Sequence, residues 1–153
     1  TEKFGARELA GITGLRAHQM YSIPKMMWIK KNRPEIYDAA AYIFLMEDYV
    51  VYHLTGKRQI DYSLATRTMA FDIKKLDWSK EIFEVAGIDV NKMSKTVPTG
   101  TDAGAITAEA AEKTGLAPST HIVSISHDQV SAAIGAGAFD FLLQWMAQGL
   151  LNV

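Results

Sequence analysis

Hydrophobic positions along the chain switch between a helical period and short β-like runs. Residues 12–15 and the polar residues 16–19 read as a loop that enters a helix near Ser22-Ile23-Pro24. Met26, Met27, Trp28 and Ile29 give that helix an apolar face and Lys25, Lys30 and Lys31 a wet one, until Asn32-Arg33-Pro34 stops it. A short second helix is predicted over residues 34–41. Residues 42–45 have the β-branched and aromatic character of a buried strand. Helical spacing returns over residues 47–54, with Tyr49, Val50, His53 and Leu54 on one side and Gly56 as the C-cap. Asp61 caps a helical turn through Ala65, and residues 68–73 alternate weakly as a strand. Asp77-Trp78-Ser79 caps an amphipathic helix with Ile82, Phe83, Val85 and Ala86 inward, ended by Gly87.

Residues 89–104 are loop-rich, residues 105–107 suggest a short strand, and residues 108–114 form a helix ending at Gly115. The best strand is residues 121–126, which runs directly into a helix of small residues. Strand and helix are thus mixed, and a strand turns at once into a helix. That order predicts an α/β layered domain rather than a bundle or sandwich.

Composition narrows the function classes. The 153 residues are 48% hydrophobic and 22% charged, as in an ordinary globular domain. With 16 Lys plus Arg against 17 Asp plus Glu, the formal net charge is -1, which supplies no field for nucleic acid or an anionic membrane surface. No cysteine is present, which removes disulfides, thiolate zinc sites and cysteine nucleophiles and fits a cytoplasmic protein. The longest apolar run, residues 39–46, is too short to span a bilayer.

Candidate chemistry concentrates in residues 121–138, HIVSISHDQVSAAIGAGA. Asp128 falls where the carboxyl end of the strand meets the amino end of the next helix, the place where open α/β sheets put ligands. The helix dipole there favours an ionised carboxylate and its use as a proton acceptor. Asp is equally among the commonest helix N-caps, and capping requires no further site. Gly135-Ala136-Gly137 is not a dinucleotide fingerprint, and no Walker-type phosphate loop occurs. His18, Gln19, Met20 and Tyr21 form a loop of mixed polarity that suits either a pocket wall or plain surface. His53, His121 and His127 lack the spacing of metal ligands. Trp28, Trp78 and the Met26-Met27 pair read as core.

Three segments in one order carry a resemblance: residues 20–56 (MYSIPKMMWIKKNRPEIYDAAAYIFLMEDYVVYHLTG), residues 61–88 (DYSLATRTMAFDIKKLDWSKEIFEVAGI) and residues 127–138 (HDQVSAAIGAGA). Together they resemble the FGGY family of carbohydrate kinases, most nearly its xylulokinase-like and gluconokinase-like branch. The shared positions are Pro24, Lys25 and Trp28; Leu54, Thr55 and Gly56; Asp61, Ser63 and Ala65; and Asp77 with Trp78. The resemblance implies a partial ribonuclease-H-like (actin-like ATPase) α/β domain, truncated at both ends. Residues 1–120 would be the C-terminal part of the family's N-terminal domain, and residues 121–140 the start of its C-terminal domain. It further implies ATP-dependent phosphorylation of a sugar hydroxyl, with ATP and Mg2+ serving the full-length protein and xylulose or a related ketose or sugar acid as acceptor. Asp128 matches the family's catalytic base, Gln129 a substrate contact, and Met20 and His18 the sugar-pocket loop.

The DxGTT-like turn with which relatives grip phosphate has no counterpart in this sequence. The apolar tail, residues 141–153, is atypical. Trp145-Met146-Ala147 must be encoded TGG-ATG-GCN, and a frame shifted back by one base permits Val-Asp-Gly followed by Ala-Gly-Thr-Val-Glu, the Gly-Thr turn of relatives. The tail is therefore read as frameshifted from about Phe141. The expected activity is that of a kinase fragment, inactive alone. The alternative is a non-catalytic module that binds a sugar or a partner protein. In that case the apolar tail, with Phe139, Leu142, Trp145 and Leu150, would drive self-association.

Overall fold

The computed structural model describes residues 5–137. In chain order the elements are α1 (Ala6–Thr13), α2 (Ser22–Asn32), α3 (Pro34–Ala39), α4 (Met46–Thr55), β1 (Gln59–Asp61), α5 (Tyr62–Thr66), β2 (Phe71–Asp72) and β3 (Asp77–Trp78). They continue as α6 (Lys80–Ala86), a 3-10 turn (Val90–Lys92), β4 (Lys95–Val97), β5 (Thr101–Ala105), α7 (Ala108–Thr114), β6 (His121–Ser124) and α8 (Asp128–Gly135). The tail read as frameshifted and self-associating lies outside the described residues.

Strands pair two by two. β1 runs parallel to β4, β2 pairs antiparallel with β3, and β5 pairs antiparallel with β6, so Thr101 faces Ser124 and Ala105 faces His121. The side-chain amide of Gln59 at the start of β1 donates to the Ser124 hydroxyl at the end of β6 at 3.0 Å, tying two strand pairs together. Helix α4 lies against β1, β5 and β6.

The main core gathers Ile60, Phe71, Trp78, Ile82 and Phe83 with Ile23, Met26 and Tyr37. Trp78 stands edge-on to Phe71 at 6.2 Å and to Phe83 at 5.6 Å, and its indole N–H donates to the Ser94 carbonyl at 2.8 Å. The buried polar end of the ring is thereby satisfied while its apolar body fills the core.

Several local expectations are corrected. Helix α1 takes in Ile12 and Thr13, expected at the start of a loop, and Gly14 closes it in the left-handed conformation with φ 72°. Residues 42–45 form no strand. The Ile43 amide bonds the Lys92 carbonyl, while Phe44 stacks on Tyr52 at 5.1 Å, so aromatic packing replaces a ladder. The strand read over 68–73 shrinks to Phe71–Asp72, because Met69 takes φ 62° and breaks the extended run. The loop-rich stretch 89–104 contains β4 and most of β5, with short polar residues on ladders set by tertiary pairing rather than by propensity. The strand placed at 105–107 lies earlier, since Thr107 is the N-cap of α7.

Two side-chain faces also differ. Helix α2 buries Ile23 and Met26, while Trp28 is 61% exposed and Met27 and Ile29 stand out beside it. Helix α4 buries Asp48 and Val51 and turns Tyr49, Val50 and His53 outward. In α6, Ile82 and Phe83 are inward as expected and Val85 is exposed.

Candidate active site

Two strand ends meet at the site. β1 ends at Asp61, which caps α5, and β6 ends at Ser124, three residues before α8. Carboxyl ends of strands followed by helix amino ends leave backbone N–H groups free to meet a ligand.

At the head of α8 the cap is His127, not Asp128. His127 has the extended dihedrals of a cap (φ -47°, ψ 142°), whereas Asp128 is already helical. The Asp128 side chain is 80% exposed, and its Oδ1 accepts the Gln129 amide at 2.7 Å. His127 Nδ1 lies 2.9 Å from the same oxygen and 3.4 Å from the Gln129 nitrogen. One ring nitrogen cannot donate and accept at once. The two shorter contacts are both met when Nδ1–H and the Gln129 N–H donate to Asp128 Oδ1.

Beneath this turn runs a buried polar network. The fully buried Asp61 carboxylate accepts the Ser63 and Leu64 amides at 3.0 and 2.9 Å, the Ser63 hydroxyl at 3.0 Å and the Thr99 hydroxyl. Ser63 Oγ in turn accepts the His127 amide at 2.8 Å, across 64 residues of sequence. Glu47 Oε2 accepts the Asp61 amide at 3.1 Å, while its Oε1 is buried without a partner. Burial above all pushes Glu47 up to about 7, against the pull of the Asp61 amide and with the Asp61 carboxylate adding to the rise. Asp48 is pushed up to about 6 by burial, opposed by hydrogen bonds from Ser94 at 2.6 Å and the Leu45 amide at 2.7 Å.

A cleft of about 620 Å³ opens beside the network and is lined by Ser22, Lys25, Glu47, Leu64, Arg67 and His127, among others. It brings the start of α2 and the head of α8 to one wall. Ser22 and His127 flank the predicted site residues, whereas His18, Met20, Asp128 and Gln129 do not themselves line it. Met20 is 51% exposed and its amide bonds His18 Nδ1 at 3.1 Å, so the predicted sugar-pocket loop is ordered by its own histidine. Gln129 is exposed on α8. Glu47, Ser63 and Thr99 joined the site only through the fold. Asp61 was legible as a cap, but not its link to His127.

Among the described residues no group of three or more His, Cys, Asp or Glu stands together to hold an ion. His121 Nδ1 contacts Asp102 at 2.8 Å on the surface, and His53 packs on Tyr49 at 4.3 Å.

The geometry of strand ends, capped helices and an exposed carboxylate agrees with what the chain is similar to. Residues 1–135 match the family model described as "FGGY family of carbohydrate kinases, N-terminal domain". The xylulose kinase of Bacillus subtilis (strain 168) is 34% identical over 137 residues, covering 90% of this chain and 27% of that protein. The gluconokinase of the same organism is 33% identical over 137 residues, again covering 90% and 27%. The crystal structure of xylulose kinase from Rhodospirillum rubrum superposes with a TM-score of 0.83 at 26% identity, over 89% of this chain and 28% of that one. The chain belongs to the FGGY family of carbohydrate kinases, and its described residues form part of that family's actin-like, ribonuclease-H-like α/β fold. It spans 27% of the length of both curated relatives.

Proposed function

We propose that this chain carries the sugar-side catalytic carboxylate of an ATP-dependent carbohydrate kinase, with xylulose or a related ketose or sugar acid as acceptor. The observation that supports the reading most is Asp128 itself: an exposed carboxylate at a strand-to-helix junction, oriented by His127 and the Gln129 amide, in a chain of kinase kinship. In this role Asp128 accepts the proton of the attacking sugar hydroxyl as that oxygen bonds the γ-phosphorus of the substrate ATP and the bond from that phosphorus to the β–γ bridging oxygen breaks, releasing ADP. Phosphoryl transfer states are loose, so the proton leaves late and the carboxylate chiefly orients the nucleophile. The exposed Gln129 amide group and the His18–Met20 loop hold the sugar's other hydroxyls. The setting of this reaction is the cytoplasm. Residues 121–140 lead toward the second domain of the whole kinase.

Titration of the 15N-labelled chain with D-xylulose and D-gluconate tests the placement. One of the two sugars should shift the Met20 and Gln129 amides together and leave α6 unmoved. Shifts scattered evenly over the chain, or none at millimolar sugar, would sink it.

One observation favours a second reading, a non-catalytic module that associates through its surface. Trp28 is 61% exposed, and Met27, Ile29 and Ile36 are exposed on α2 and α3 alongside it. Large apolar side chains gathered in water favour burial against another surface.

A further inference from the structure

We propose that Ser63, held by Asp61, is a positioning residue that latches the turn from which Asp128 projects; the functional weight of this latch rests on the reading of Asp128 as the base. The N-cap residue of a helix keeps its own amide outside the helical ladder, so the His127 N–H needs an acceptor from elsewhere. Ser63 Oγ supplies it at 2.8 Å. That hydroxyl has one proton, and it is spent on Asp61 Oδ1 at 3.0 Å, which leaves the oxygen lone pairs for the His127 amide. The chain His127 N–H to Ser63 O–H to Asp61 carboxylate is directional, and each bond polarises the next.

Asp61 is fully buried and fixed at the end of β1 by four donors, including the Thr99 hydroxyl from the loop after β4. On the opposite side of the turn, Ser131 Oγ donates to the Ser126 carbonyl at 3.2 Å, and the Ser131 amide bonds the His127 carbonyl at 3.0 Å. The turn is thus gripped by α5 on one flank and by α8 on the other. The α5 grip holds the cap residue of α8 to the helix that follows β1, and together with the Gln59–Ser124 bond between β1 and β6 it helps fix the direction of α8 relative to β1. His127 then aims Nδ1 at Asp128.

Amide exchange and amide chemical shifts in the 153-residue chain test the latch without any turnover. Ser63→Ala should speed exchange at the His127 amide by about fivefold or more, the worth of one lost hydrogen bond. It should also move the Gln129 amide resonance, which reports the Asp128 Oδ1 contact. Ser63→Thr keeps the hydroxyl and should restore both, and the β5–β6 ladder amides should stay protected in every variant. His127 exchange unchanged in Ser63→Ala, or a Ser63→Thr variant as fast as Ser63→Ala, would overturn the proposal. If the latch passes and Asp128 proves dispensable for phosphoryl transfer, only the kinase reading falls; if the latch fails, the role of Asp128 stands.

Discussion

Replacing Asp48 by Asn should flatten the pH dependence of stability. Asp48 is fully buried at the head of α4, where Oδ1 accepts the Leu45 amide and Oδ2 the Ser94 hydroxyl. Its folded-state value is raised by burial from 3.8 to about 6. The folded chain therefore takes up this proton at higher pH than the unfolded chain does. The resulting stability is fully present below about pH 4 and is lost as pH rises through about 6. Linkage puts the whole loss at about 3 kcal/mol, and the part falling between about pH 4.5 and 7.5 at about 2 kcal/mol. Asn fills the same space and keeps an acceptor for Leu45 but cannot ionise. Urea unfolding of both proteins at the two pH values reads the effect; the Asp48 charge also adds to the rise of Glu47, so the substitution relieves that repulsion as well and acts in the same direction. The stability of the parent relative to Asp48→Asn should fall by about 2 kcal/mol from the lower pH to the higher. A difference that stays constant within about 0.5 kcal/mol would refute the reasoning.

Other outcomes follow from single residues. Phe83→Ala, which empties a site 2% exposed against Trp78, should lower stability by about 3–5 kcal/mol in the same urea experiment. Leu76 is exposed and held at φ 56°, so Leu76→Gly should raise stability by about 0.5–1 kcal/mol, read as a higher urea midpoint. Trp28→Glu should change stability by less than about 0.5 kcal/mol yet reduce any self-association seen by light scattering. The 153-residue chain alone should show no ATP-dependent phosphorylation of D-xylulose, since its sequence carries no phosphate-gripping glycine loop.

Helix ends were the most legible part of the chain. Gly56, Gly87 and Gly115 each close a helix in the left-handed conformation where the spacing placed the end, and Asp61 and Ser79 each accept amides as caps, whereas Thr107, read as the end of a strand, is the cap of α7. These are local devices, written within four residues of where they act. Strands were less legible because pairing is not local. β4 and β5 hide in a Pro-, Gly- and Thr-rich stretch, while the aromatic run 42–45, read as a buried strand, joins no ladder. Trp28 shows the limit of equating size with burial: its period matched the core face, but Ile23 and Met26 took the contacts.

The site was legible in one half only. Asp128 stood out from the strand-to-helix transition, and the family resemblance assigned its role. The displacement of the cap to His127 depends on one residue's dihedrals, which spacing does not reveal. The grip of Ser63 on the His127 amide joins residues 64 apart, and no local pattern announces such a bond. Glu47 carried no signal in the sequence beyond opening a helical stretch, whereas the fold buries one of its oxygens without a partner and lifts its pKa to about 7.

The role of Asp128 is tested most directly by transplanting residues 5–137 into the matched segment of the Bacillus subtilis xylulose kinase and comparing that chimera with its Asp128→Asn variant in a sugar-dependent ADP-release assay. General-base catalysis with a late proton predicts a kcat lower by about 10²–10⁴ and a KM for the sugar within about threefold. A variant that keeps kcat within about threefold of the parent chimera would contradict the assignment.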